Sequence, residues 1–187
     1  MDSIMLDLET LATTADAVIL SIGACKFDMK SGEIDDACFY TIVNTDQPRR
    51  HISPETLSWW ITQSDDAQVV FTSTEKIMLH EALLEFSDWV DNENYLLWSN
   101  GADFDIPILN HALHEHRMNP VVKHYNHRCF RTYKNIFNSV PKPPMDGIKH
   151  NALADAIHQA RWLIDMERFR LGGEMMAPTK GFGAKRA

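Results

Sequence analysis

The stretch Ile4-Met5-Leu6-Asp7-Leu8-Glu9-Thr10 limits what this chain can fold into more than any other. It reads as a buried strand whose end carries two acids. Side chains alternate faces along a strand, so Asp7 and Glu9 share one face and Leu6 and Leu8 the other. Two carboxylates held side by side repel and tend to share a proton. A divalent cation with a preference for hard oxygen ligands, Mg²⁺ or Mn²⁺, relieves that repulsion. The plain alternative is an ordinary strand end running into a polar loop, so the rest of the chain has to decide.

The remaining pattern predicts an α/β fold. Residues 18–27 and 37–43 read as strands joined by the turn cluster 28–36, which gives an antiparallel meander of three. Ser53-Pro54-Glu55 is a capped helix start. That helix runs to about Gln63, with Leu57, Trp60 and Ile61 on one face and Trp59 well off it. A second helix is expected from Ser73 or Thr74, with Leu79, Ala82, Leu83, Phe86 and Val90 at helical spacing. Residues 95–99 form a continuous apolar run, a buried strand. A turn at 100–103 leads to a helix from Phe104. Residues 127–132 suggest a short strand before a helix through Ile136 and Phe137. The last helix spans about 151–171, with Leu153, Ile157, Ala160 and Ile164 inward. The sum is a mixed five-stranded sheet flanked by helices. One domain covers 1–171, and a loose, weakly basic tail covers 172–187. Ligands in such sheets collect at strand C-terminal ends, where Asp7 and Glu9 lie.

Two further places offer partners. Asp105 follows the buried strand and the Asn100-Gly101 turn, and so can reach the same sheet edge as Asp7. Asp103 competes for that role. Alternatively, Asp103 is an N-cap and Asp105 a first-turn acid favoured by the helix dipole. His150-Asn151-Ala152-Leu153-Ala154-Asp155 places a histidine just before the last helix and an acid in its first turn. A first-turn acid beside an exposed histidine is the ordinary reading of that segment taken alone. Together these residues supply four carboxylates and a base titrating near neutrality. That is the donor set with which two metal ions can clamp a phosphodiester.

The formal net charge of −8 argues against a protein that coats nucleic acid by general basicity. It does not exclude an enzyme that meets a phosphodiester through bound metal. Three widely spaced cysteines, Cys25, Cys38 and Cys129, with no CxxC pair, fit a reducing cytoplasm. No basic leader and no apolar run long enough for a bilayer are seen, so a cytoplasmic protein without a membrane partner is expected.

Asp7-Leu8-Glu9-Thr10, then Asn100 through Phe104-Asp105, then His150 with Asp155 five positions on, resemble the three motifs of the DEDDh 3′–5′ exonucleases. The likeness covers roughly residues 4 to 165. It is nearest to compact phage and prophage DexA-like exonucleases and related small bacterial exoribonucleases, in which a Trp-Trp helix like Trp59-Trp60 also recurs. The resemblance implies a ribonuclease H-like fold and the release of nucleoside 5′-monophosphates from single-stranded 3′ ends. DNA is favoured, with RNA as the alternative. It implies that Asp7 bridges two Mg²⁺ or Mn²⁺ ions, that Glu9 and Asp155 hold the ion that activates water, and that Asp105 serves the second ion. His150 would be the general base. Thr10 and Leu11 would meet the terminal nucleotide, Leu11 as an apolar wedge, and Asn100 would support the site from behind the ligands. The 3′–5′ polarity comes from the resemblance alone.

Other features keep two readings. Trp59 either stacks on a base or packs. Arg128 and Arg131 either steady a phosphate or are merely solvated. His111, His114 and His116 lack the partners a zinc site needs. A non-catalytic nucleic-acid-end binding module and an endonuclease on the same fold remain as competitors, and the oligomeric state is open, a homodimer included.

Overall fold

The computed structural model describes residues 1–172. The expected tail therefore lies, from residue 173 on, outside the described residues. The elements run β1 (Ser3–Thr10), β2 (Ile19–Phe27), β3 (Phe39–Val43), α1 (Pro54–Ile61), α2 (Asp65–Thr72), β4 (Lys76–Ile77), α3 (Leu79–Val90), β5 (Leu96–Ser99), α4 (Asp105–Glu115), β6 (His127–Cys129), α5 (Phe130–Ile136) and α6 (Ala152–Arg170). The sheet order is β4-β3-β2-β1-β5-β6. The meander β1–β2–β3 is antiparallel, as expected, while β5 pairs parallel to β1 and β6 parallel to β5.

The sheet has six strands rather than the five anticipated. The sixth, β4, is two residues long and pairs parallel with β3. Two residues show no alternation, so the sequence pattern does not separate this strand from the helix start expected at 73 or 74. That helix begins at Leu79 instead. A separate helix, α2, precedes it, capped by the Ser64 side chain accepting from the Ala67 N–H. Ser64 followed by Asp65 and Asp66 was a readable start signal.

The alternation of β1 divides the interior. Ile4, Leu6 and Leu8 pack with Leu83, Phe86 and Leu109 under α3 and α4. Met5 faces the other way, into a core with Phe130, Ala156, Ala160 and Leu163 under α5 and α6. Asp7 and Glu9 continue the Met5 row and so project toward α6. The buried stripe of α6 runs through Ala152, Ala156, Ala160 and Leu163, while Leu153 and Ile157 are only partly buried. Small residues lead because the helix presses on the sheet backbone. A Cβ added at Gly23 would lie 2.2 Å from both the Ala152 carbonyl carbon and the Leu153 nitrogen. Gly23 pairs with Asp7 across β1–β2. The missing side chain at Gly23 thus brings the first turn of α6 against the acidic end of β1. In α1 only Trp60 turns inward; Leu57 and Ile61 are exposed, because the helix rests on the edge of the molecule by one side chain.

Candidate active site

Four carboxylates meet at the C-terminal end of β1. Asp105 stands at the start of α4, 2% exposed, and its Oδ1 accepts the Leu8 backbone N–H at 3.0 Å. Phe104 occupies the cap position and Asp103 is exposed, so Asp103 is not the N-cap. Asp105 instead ties α4 to β1. Asp155 comes from the first turn of α6, which Asn151 caps through its side-chain oxygen on the Ala154 N–H. Asp155 Oδ2 accepts the His150 backbone N–H at 2.8 Å. Glu9, His150 and Asp155 each bring one ligand atom within 4.8 Å of the others, a group that could hold a metal ion.

Asp7 receives a hydrogen bond from Gln159 Nε2 at 2.8 Å. Gln159 was not foreseen. The signal was there: a polar residue one turn after Asp155 on a helix face otherwise made of alanines. Its Oε1 is buried without a hydrogen-bond partner.

No lysine or arginine side chain hydrogen-bonds or ion-pairs with these four acids among the described residues. Burial pushes Asp7 well above the usual carboxylate range, and the charges of Asp105, Glu9 and Asp155 push it further against the pull of Gln159. Burial, then Asp155 and Asp105, raises Glu9 to about 8. Burial raises Asp105 to about 7, although the Leu8 N–H and Arg131 oppose it. Asp155 is raised by burial as well. Oxygen donors left in mutual repulsion, with no lysine or arginine bonded to them among the described residues, are the chemistry that suits a hard divalent ion.

His150 sits in left-handed backbone at φ 64°, a conformation that costs a non-glycine residue about 1 kcal/mol or more. Its ring meets Trp59 edge-on, centroids 4.8 Å apart. Nε2 is buried with no hydrogen-bond partner, and burial lowers the imidazole below its ordinary value despite the Asp155 charge. The ring is thus neutral near pH 7 with an unused nitrogen. The ordinary reading of the segment, an exposed histidine, does not hold: the ring is partly buried against Trp59.

Beside Glu9 lies a cleft of about 400 Å³, lined by residues that include Leu8, Thr10, Glu55, Thr56, Trp59 and Phe104. Trp59 is 42% exposed. Trp60 is buried and donates Nε1–H to the Thr10 carbonyl at 2.9 Å, which fixes the cleft floor. Thr10 Oγ1 is committed to the Ala12 carbonyl. Leu11 is not presented to the cleft: it is 3% exposed and packs with Val18, Leu20 and Trp60. Asn100 makes no hydrogen bond to the acids; its carbonyl accepts from Arg131, and its side-chain oxygen is buried without a hydrogen-bond partner. Sequence spacing alone could not separate Leu11, which turns inward after the irregularity at Glu9/Thr10, from Phe104, which lines the cleft.

Residues 2–166 match the family described as the 3′-5′ exoribonuclease Rv2179c-like domain. No curated protein matches the chain by sequence. Among solved structures, the nuclease domain of 3′hExo, a DEDDh family member bound to rAMP, superposes with a TM-score of 0.61 at 17% identity, covering 92% of this chain and 94% of that one. Exonuclease I from Methylocaldum szegediense gives 0.65 at 12%, covering 90% of this chain and 42% of that one. Escherichia coli Exonuclease I in complex with a dT13 oligonucleotide gives 0.63 at 12%, covering 91% and 42%. The chain thus spans less than half of the Exonuclease I proteins. At these identities the structural likeness speaks for the fold, a mixed sheet between helices shared with DEDDh nucleases.

Proposed function

The chain belongs to the family of 3′-5′ exoribonuclease Rv2179c-like domains, a family of nucleases, and on that premise we propose that it removes nucleoside 5′-monophosphates one at a time from single-stranded 3′ ends. The observation that carries this reading is the meeting of Asp7, Glu9, Asp105 and Asp155 beside a neutral His150, with no lysine or arginine bonded to the acids among the described residues.

Asp7, Glu9, Asp105 and Asp155 would hold two Mg²⁺ or Mn²⁺ ions, with Gln159 orienting Asp7 through its amide. When bound, such ions neutralise the carboxylates and the charge that develops on the phosphodiester. The protein's own groups do the rest. His150 takes a proton from the attacking water through its unpartnered nitrogen. The water oxygen forms a bond to phosphorus as the bond to the departing 3′ oxygen breaks, leaving a strand shorter by one nucleotide. Trp59 holds the imidazole edge-on, and its exposed remainder, with Phe104, gives the terminal base an apolar wall to stack on. For the sugar, the family description favours RNA, and DNA stands second. Three free cysteines accord with a reducing compartment. Among the described residues no helix is long and apolar enough to cross a membrane.

The test uses 5′-labelled RNA and DNA strands of one sequence, digested in Mn²⁺ beside Asp7→Ala. A ladder shortening from the 3′ end, faster on RNA and absent in the variant, is expected. Cleavage of a circular strand would point to an endonuclease. Retention of labelled ends without shortening would point to a binding module.

A further inference from the structure

The charge of this chain is divided along its length. Residues 1–115 carry twenty-one acids against five lysines and arginines, whereas residues 116–154 carry seven lysines and arginines against one acid, Asp146. The net charge of −8 hides a basic segment. Asp146 itself faces Arg161, which lies outside the segment, at 3.3 Å.

The fold brings part of this segment to the rim of the acidic site. Arg131, on α5, is exposed and donates Nη2–H to the Asn100 carbonyl at 2.7 Å, on the turn that delivers Asp105. Its charge reaches Asp105. Lys149 is exposed and immediately precedes His150. Lys142 is exposed and precedes Pro143, whose carbonyl lies 3.0 Å from His158 Nε2, one turn along α6 from Asp155. Its charge reaches Asp155. None of these three forms an ion pair with a carboxylate among the described residues. The other side of the site differs in kind. The cleft beside Glu9 has no lysine or arginine among its lining residues, and it carries Glu55. The neighbouring α2 begins with Asp65 and Asp66. Phosphates are attracted by these three residues and repelled by the acids of the cleft and of α2.

We propose that the face carrying Arg131, Lys142 and Lys149 is the track for the backbone phosphates upstream of the nucleotide being removed. The strand then approaches over α5 and the loop before α6, and its last base ends against Trp59. This rests on reading the site as a 3′ exonuclease. Lysines on an exposed surface act as point charges and read no base, so the track is independent of sequence and sensitive to salt. It also offers an acidic protein a way to hold a polyanion: these three positive charges, without ion pairs among the described residues, lie where the strand would run.

The test compares two doubly substituted proteins with the same change in net charge. Lys142→Gln/Lys149→Gln removes the track. Lys30→Gln/Lys123→Gln is the control, because Lys30 follows β2 and Lys123 pairs with Glu93 before β5, both at the end of the strands opposite the one that carries Asp7 and Glu9. Affinity for a 5′-fluorescein 12-nucleotide strand is measured by anisotropy against salt, in an Asp7→Asn background that leaves the strand intact. Each phosphate contact in a single strand contributes a slope of roughly 0.7, so the track pair should lose about 1.4 from the slope. Binding at low salt should weaken about fivefold to tenfold. With Asp7 restored, KM for the strand should rise while kcat holds. The control should match wild type in all three. A track pair indistinguishable from the control overturns the proposal. Wild type that binds with a steep slope yet never shortens the strand in Mn²⁺ overturns the exonuclease reading and leaves the track standing.

Discussion

Helix α6 carries an acid near each end, Glu167 buried and Asp155 partly buried, and the two are treated in opposite ways. Near its C-terminus, Glu167 is 8% exposed and fully provided for. Tyr133 donates its hydroxyl, and Arg170 donates from Nε at 2.7 Å and Nη2 at 2.6 Å. The hydrogen bonds from Arg170 and Tyr133 hold its carboxyl below the usual value. Near the N-terminus, roughly 18 Å away along the helix axis, Asp155 joins Asp7, Glu9 and Asp105, all pushed up by burial. Where an acid is structural, the chain supplies the cation. Where the cation is withheld, the fold keeps a cost that a ligand can relieve.

The contrast is sharpest at Asp7. Asp7→Asn should lower Mn²⁺-dependent strand shortening by on the order of 10⁴-fold. The metal-free protein should at the same time melt higher, because a buried acid that is costly to ionise is replaced by a neutral amide. Activity assays beside thermal melts check both halves. His150→Ala should reduce kcat by roughly 10²- to 10³-fold with the metal affinity retained, as for a lost proton acceptor.

The two ends of α6 should also answer pH in opposite directions. Glu9, raised to about 8, and Asp105, raised to about 7, hold protons in the folded state that the unfolded chain releases near pH 4. Their stability contribution is complete below pH 4 and is lost as pH climbs toward 8, a loss on the order of a few kcal/mol without metal. Mn²⁺ should restore it at pH 8 and do little at pH 5, where protons compete for the same oxygens. Glu167 works the other way and loses its contribution in acid. Melting curves at pH 5 and 8, with and without Mn²⁺, separate the two. The smallest effect belongs to Glu167→Gln, which should cost about 1 kcal/mol of stability through the weakened Tyr133 bond and leave shortening within about twofold.

Much of this site could be read from sequence because strand alternation and motif spacing are local. Asp7 and Glu9 share a face as the period of β1 requires, and His150 to Asp155 is a cap and its first turn. What escaped depends on packing between distant segments. Gln159 and Gly23 matter only because α6 lies on the backbone of β2, 129 residues before Ala152 in the chain. Leu11 lies just beyond the end of β1, where alternation no longer assigns a face, and it is core through its packing with Val18, Leu20 and Trp60. The strand β4 was too short to carry a period.

Calorimetric titration of the wild-type protein with Mn²⁺ at pH 8, beside Asp7→Asn and Glu167→Gln, tests most directly whether the unpaired acids await divalent ions. The account predicts two ions bound by wild type and by Glu167→Gln, and loss of binding in Asp7→Asn. Binding that ignores Asp7, or no binding by any of the three, would contradict it.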